Sequence, residues 1–215
     1  SLRTNVKNVI ALSTDKACSP VNLYGATKLC AEKIFVSANQ LSGTRKIKFS
    51  VVRYGNVTAS RGSVIPLFQK YKEKNFFPIT DMNMTRFNIS IQEAFELVTW
   101  ALNNNKGGEI FIPKLSSFKI VDLAKAINNK AKLKVIGIRE GEKVHEELIS
   151  QTEYLNSVDL GKYFALIVGP VKKKYKNIKQ LNQKQLRENN SGLTDKKLDI
   201  NQIKKILKNI KYIDI

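Results

Sequence analysis

The feature that most limits how this chain can fold is a short apolar run, Val9-Ile10-Ala11-Leu12, ending abruptly on a polar cluster, Ser13-Thr14-Asp15-Lys16. A run of this length with no polar alternation is the pattern of a strand covered on both faces, as in a parallel sheet. Pro20 and Asn22 then supply turn and cap chemistry for a helix over about residues 22–41. Leu29, Ile34 and Phe35 would pack that helix on a sheet. A second apolar run, Phe49 to Tyr54, and a third, Glu109 to Pro113, repeat the strand pattern. Strands alternating with helices define an α/β protein with a mostly parallel sheet.

The polar cluster gains meaning from the residues after it. Tyr24 comes eight residues after Lys16, and Lys28 four residues later. Four residues is one helical turn, so Tyr24 and Lys28 share a face. A strand end meeting a helix thus gathers a phenol, two amines, a carboxylate and a hydroxyl. In open α/β sheets, ligands bind outside the carboxyl ends of the strands. An ammonium one turn from a phenol favours the phenolate, which can then take a proton from a substrate hydroxyl. The same spacing arises on helices with no such role. Asp15 and Lys16 also have a plainer reading, as a surface ion pair.

Further along, the pattern predicts a helix from about Pro66 to Lys74 and extended segments at Pro78–Asp81 and Met84–Phe87. A helix over Ile91–Asn103 would bury Ala94, Phe95, Val98, Ala101 and Leu102, and Gly107-Gly108 would end it. Another helix, Lys119–Asn128, would bury Val121, Leu123, Ala124 and Ile127, before a strand over Lys134–Arg139. After Ser150 the sequence turns polar and lysine-rich until Asp199 caps a last helix with Ile203, Ile206, Leu207 and Ile210 on one face. Residues 1–150 are therefore assigned to the sheet domain, and residues 151–215 to a lysine-rich extension that ends in this helix.

Composition excludes several classes. The 215 residues suffice for one sizeable core, and no apolar run approaches a membrane span. With no signal-like segment, a cytoplasmic location is expected. Cys18 and Cys30 form no C-x-x-C pair and accompany a single histidine, so free thiols and no metal site are expected. His145-Glu146 matches only half of a zinc-binding H-E-x-x-H. The 37 basic against 18 acidic residues give a net charge of +19, densest at Lys162, Lys172, Lys173, Lys174, Lys176, Lys179, Lys184 and Arg187. No nucleic-acid module focuses this charge, and aromatic residues are few among the lysines. A solvated basic surface that also draws in an anionic ligand is expected, with no nucleic-acid partner.

Taken together, STDKA (13–17), NLYGATK (22–28) and RYGNV (53–57) resemble the extended short-chain dehydrogenase/reductases. Within them, the motifs are most similar to the inverting UDP-N-acetylglucosamine 4,6-dehydratases that open pseudaminic acid synthesis. The resemblance runs from residue 9 to about residue 147. It implies the C-terminal part of a doubly wound, Rossmann-like parallel sheet with a small α/β substrate-binding lobe. It also implies NADP as cofactor, a UDP-sugar as substrate and a homo-oligomer. Tyr24 would be the base for the 4-hydroxyl, with Lys28 tuning it and holding the cofactor ribose; Thr14 would bond the 4-hydroxyl. Asp15 would protonate the departing 6-hydroxyl, and Lys16 would take the carbon-5 proton.

The same likeness puts Val57 and Arg61 near the cofactor and Asn56 and Thr80 on the sugar nucleotide. Arg139 and Glu142 in IREGEKVHEE (138–147) resemble the family's RPGEKxHE segment, which holds the uridine end, although Glu140 stands where proline is usual. Arg86 is left with two readings, a phosphate partner or a salt-bridged fold residue. A UDP-sugar 4-epimerase shares Tyr-x-x-x-Lys without needing an acid and a base beside Thr14, and a non-catalytic anion-binding protein is the other alternative. No G-x-G-x-x-G occurs in the chain, yet a dinucleotide fold needs that turn for the pyrophosphate. The expectation is a C-terminal portion of a longer enzyme, lacking roughly a hundred residues of the first mononucleotide-binding half. Such a portion would bind the cofactor poorly and be inactive alone.

Overall fold

The computed structural model describes residues 5–74, 76–185 and 196–210. The first apolar run is strand β1 (Asn8–Thr14), followed by helix α1 (Leu23–Ser37) and strand β2 (Lys48–Tyr54). The Asn22 side chain caps α1 by accepting from the Gly25 backbone N–H at 2.8 Å. The helix is shorter than the sequence suggests. It gives way at Ala38 to tighter turns, within which Gly43 adopts a φ of 53°.

β1 and β2 lie parallel, with Val9 opposite Phe49 and Thr14 opposite Tyr54. Helix α2 (Val64–Tyr71), strands β3 (Phe76–Ile79) and β4 (Thr85–Asn88) and helix α3 (Ile91–Asn104) lead to β5 (Glu109–Pro113), which is parallel to β2. Then come β6 (Ser116–Lys119), α4 (Ile120–Ile127), β7 (Lys132–Val135), β8 (Ser157–Asp159), β9 (Tyr163–Ile167) and α5 (Ile200–Asn209). The main sheet has the order β1-β2-β5-β9-β8, with β9 antiparallel to both neighbours.

Both faces of this sheet are covered, which is why its strands are apolar without alternation. On one face Val51, Ile110 and Ile112 share a core with Phe35 and Val36 of α1. On the other, Val52 and Phe111 pack against Leu97 and Ala101 of α3, and Trp100 stands edge-on to Phe111 at 5.2 Å. Ser90 and Glu93 close a reciprocal capping box at the start of α3.

A second core forms the smaller lobe. Phe68 of α2, Phe77 and Ile79 of β3, Leu123 and Ala124 of α4 and Leu207 of α5 are all fully buried in it. β3 pairs with β7 in parallel, and β4 pairs with β6 antiparallel. The last helix is as the sequence implies, with Ile203 and Leu207 buried and a capping box between Asp199 and Gln202.

Several expectations are corrected. Phe95 is 65% exposed and Leu102 39%, while Leu97 is buried; Ile34 of α1 also points outward. Helix α3 carries two apolar stripes, and the one with the small residues Ala94 and Ala101 lets the backbone approach the sheet closely. The strand expected over Lys134–Arg139 ends at Val135, because Gly137 takes a φ of 88° and turns the chain away. The sheet also runs past residue 150. Tyr163–Ile167 is fully buried beside β5, although lysine-rich sequence surrounds it, so residues 151–215 are not simply an extension. Arg187 lies outside the described residues.

Candidate active site

The carboxyl ends of β1 and β2 put two motifs side by side. Past β1, Asp15–Ala17 forms one tight turn, with Thr14 Oγ1 accepting from the Lys16 backbone N–H at 3.4 Å and donating to Asp15 Oδ1 at 2.9 Å. Asp15 is completely buried, and its Oδ2 has no hydrogen-bond partner among the described residues. Past β2, Asn56 reaches the same point. Lys16 Nζ donates to Asp15 Oδ1 at 3.1 Å and to Asn56 Oδ1 at 3.0 Å. Glu146 completes the group, its Oε1 3.8 Å from Lys16 Nζ.

Contacts from two sides pin the segment that delivers Glu146. Lys143 Nζ donates to the Cys18 carbonyl at 2.6 Å, tying it to the turn after β1. From β4, Arg86 donates through Nη1 to the carbonyls of Thr85, Lys143 and Val144, and Thr85 N–H donates to Val144 O at 3.1 Å. Arg86 Nη2 also lies 3.6 Å from Glu142. Of the two readings of Arg86, the fold residue describes these contacts. Its guanidinium holds backbone together at the wall of the cleft.

That cleft, of about 360 Å³, opens between the sheet and the smaller lobe; Lys16, Asn56, Thr80, Arg139, Glu142 and Glu146 line it. Five of these six were candidates from sequence, contributed by separate segments of the chain. Thr14 and Asp15 stand behind Lys16. Tyr24 is half-exposed in the first turn of α1, and Lys28 Nζ donates to the Leu12 carbonyl at 3.3 Å. Val57 is drawn into a bridge with Ile89 instead of the cleft wall, and Arg61 is exposed in the loop before α2.

Electrostatics single out Glu146, to which the sequence reading gave no role. Burial, and then the nearby Asp15 carboxylate, push its carboxyl above the usual range, against Lys16, Arg86 and Lys143. Burial and the neighbouring Tyr24 likewise raise the Tyr54 phenol.

A second set escaped sequence reading altogether. Beneath the site, fully buried Arg53 donates to Glu32 of α1 through Nε and Nη2, and to Glu153 through Nη1 and Nη2 at 2.9 Å each. Ser13 Oγ donates to Glu32 at 2.6 Å, and Arg53 Nη1 also donates to the Leu148 carbonyl at 2.9 Å. Burial alone would raise Glu153, but the Arg53 hydrogen bonds and charge outweigh it and hold the carboxyl at about 2. This network fastens β1, α1, β2 and the segment after Leu148 to one another under the cluster.

A Rossmann-like α/β sheet with a polar cleft at the carboxyl ends of its parallel strands has that cleft where open α/β sheets bind their ligands. The polysaccharide biosynthesis protein family matches residues 1–168, and the chain belongs to it. The chain is 50% identical over 163 residues to the UDP-N-acetylglucosamine 4,6-dehydratase (inverting) of Campylobacter jejuni, covering 75% of this chain and 49% of that protein. It is 37% identical over 215 residues to the UDP-glucose 4-epimerase of Rickettsia bellii, covering 97% of this chain and 63% of that one. In structure it resembles Pen from Bacillus thuringiensis, with a TM-score of 0.85 and 32% identity over 99% of this chain and 65% of that one. The chain thus spans about half the length of its Campylobacter relative.

Proposed function

We propose that this chain is the catalytic, sugar-nucleotide-binding part of an inverting UDP-N-acetylglucosamine 4,6-dehydratase. The product would be a UDP-2-acetamido-2,6-dideoxy-4-keto-hexose inverted at carbon 5, the first intermediate towards pseudaminic acid. The observation that carries this is Lys16 Nζ held between Asp15 and Asn56 on the cleft. An amine and a carboxylate at one point are what elimination of water needs. A simple 4-epimerisation has no use for them. The name of the Campylobacter relative supports the same choice.

The roles follow from the likeness of the motifs to the dehydratase family. Tyr24 takes the 4-hydroxyl proton, assisted by Lys28, and Thr14 bonds that hydroxyl. Lys16 removes the carbon-5 proton while Asp15 protonates the leaving 6-hydroxyl. Asn56, Thr80, Arg139 and Glu142 bind the sugar nucleotide, Arg139 as a fork for phosphate. NADP, when bound, supplies the hydride acceptor and donor at carbons 4 and 6. Tyr24 and Lys28 would hold its ribose, and Val57 and Arg61 would border it.

The residues present fit that group at its nicotinamide end: a half-exposed phenol and an amine stand at the carboxyl end of the sheet. The outer edge of β1 is unpaired among the described residues, and Leu12 on it is 52% exposed. An open, apolar parallel edge is the surface that a mononucleotide-binding half would cover. Among the described residues no helix is long and apolar enough to cross a membrane. A cytoplasmic homo-oligomer with no nucleic-acid partner completes the proposal.

The test is product analysis with the full gene product and UDP-N-acetylglucosamine. A 6-methyl, 4-keto sugar is expected, and Lys16→Ala should abolish it. A product that keeps its 6-hydroxyl would instead establish the epimerase, the name carried by the Rickettsia relative. Normal turnover by Lys16→Ala would end the assignment of Lys16.

A further inference from the structure

We propose that Glu146 is the proton acceptor that frees the Lys16 amine to act as a base, so that the two side chains share one proton. The inference rests on the function proposed above. A lysine can take a carbon-bound proton only as the neutral amine, and its proton must first go somewhere. A neutral amine has two N–H groups and one lone pair. The two close acceptors, Asp15 Oδ1 and Asn56 Oδ1, match those two N–H groups.

Among the described residues, Glu146 is the second carboxylate in ion-pair range of the nitrogen. Its Oε1 stands 3.8 Å away, outside hydrogen-bond length, and a shift of less than about 1 Å would close the gap. Several observations separate this from a plain counter-ion. Glu146 is only 4% exposed, and its Oε2 lacks a hydrogen-bond partner among the described residues. Asp15, also fully buried, leaves Oδ2 in the same condition. The charged groups that face Glu146 are Asp15 and Lys16 from the turn after β1, Arg86 from β4, and Lys143 from its own segment at 3.9 Å. Arg86 and Lys143 already serve backbone carbonyls, so they are poorly placed to neutralise a buried carboxylate completely. An ionised carboxylate with a buried oxygen that accepts no hydrogen bond is costly, and a proton removes that cost.

Atoms and electrons balance across the step. The proton on Lys16 Nζ passes to Glu146 Oε1, giving a neutral amine and a neutral carboxylic acid. The amine then accepts the proton from carbon 5, whose C–H electron pair becomes the second bond of a carbon 5–carbon 6 double bond. The carbon-oxygen bond at carbon 6 breaks, and the departing hydroxyl takes the Asp15 proton and leaves as water.

Carbon-5 exchange isolates the base. The UDP-linked 6-deoxy-4-keto product, incubated with the full gene product in D₂O, should take up deuterium at carbon 5, monitored by ¹H NMR. Glu146→Gln keeps the shape but accepts no proton, and should slow this exchange about a hundredfold near neutral pH. Its exchange should rise with pH as solvent base takes over, while the wild-type rate stays nearly flat; UDP-sugar affinity should stay within about threefold. Glu146→Asp, which keeps a titrating carboxyl, should recover part of the rate and serves if the amide variant does not fold. Wild-type exchange by Glu146→Gln, or a loss that is equal at every pH and accompanied by weaker binding, overturns the inference. If the wild type accelerates no exchange at all, the proposed function falls, and this inference with it.

Discussion

The carbonyl oxygen of Lys16 occupies the space that a side chain on Gly25 would need: a Cβ built there lies 2.2 Å from it. Helix α1 therefore sits directly against the turn that carries the candidate base. Elsewhere in a helix, alanine is more favourable than glycine by about 1 kcal/mol. Here the overlap is with backbone and no rotamer relieves it, so overpacking wins. Gly25→Ala is expected to lower stability by about 1–3 kcal/mol in urea denaturation. Turnover should fall more than stability alone implies, because Lys16 must move. A stabilised, fully active variant would show that the turn yields freely.

Arg53 is the next point of leverage. Removing it leaves Glu32 and Glu153 buried without their shared cation, so Arg53→Met should cost about 3–5 kcal/mol. The same network sets an acid limit. Glu153 has its folded-state carboxyl lowered from 4.5 to about 2, so it contributes stability above pH 4.5 that is lost as pH falls towards 2. Stability measured against pH should drop across that window by about 3 kcal/mol from this group. Glu153→Gln should be less stable at neutral pH and flatter in acid. An unchanged acid slope in that variant would assign the loss to other carboxylates.

The contrast between these two sites explains what was legible in the sequence. Strands β1, β2 and β5 and the Asn22 and Asp199 caps announce themselves, because burial on both faces and orphan helix N–H groups have local signatures. Lys16, Asn56, Arg139 and Glu142 were legible from motifs and Thr80 from the family likeness alone, and all five line one cleft. Arg53, Glu32 and Glu153 were not, because their partnership spans 100 residues and each alone looks like an ordinary charged residue. β9 was hidden for a different reason. Its buried Tyr163–Ile167 run sits in sequence whose lysines dominate any window average. Which stripe of α3 faces inward depended on the closeness of its approach to the sheet, which periodicity does not encode.

The two cysteines give an inexpensive check of the packing behind the site. Cys18 is 1% exposed, and burial pushes its thiol up to about 12; Cys30 on α1 is exposed. The thiolate is the reactive form, so the native protein at pH 8 should consume one equivalent of iodoacetamide, at Cys30. Peptide mass mapping identifies the site, and denaturant should release the second equivalent. Rapid labelling of Cys18 in the native state would mean that the turn after β1, held by the Lys143 bond to the Cys18 carbonyl, opens readily.

Tyr24 and Lys16 stand on different elements, α1 and the turn after β1, and in the proposed chemistry they handle different protons. Their defects should therefore separate. Tyr24→Phe keeps the ring but loses the proton acceptor for the 4-hydroxyl. It should reduce overall conversion of UDP-N-acetylglucosamine by about 10²–10⁴-fold, the range of general base catalysis. Carbon-5 exchange of the 4-keto product in D₂O needs no oxidation and should persist in this variant at near the wild-type rate. Lys16→Ala should lose both, since the exchange passes through its amine. Loss of exchange in Tyr24→Phe would mean that the phenol also serves carbon 5, and the division of labour between α1 and the β1 turn would have to be redrawn.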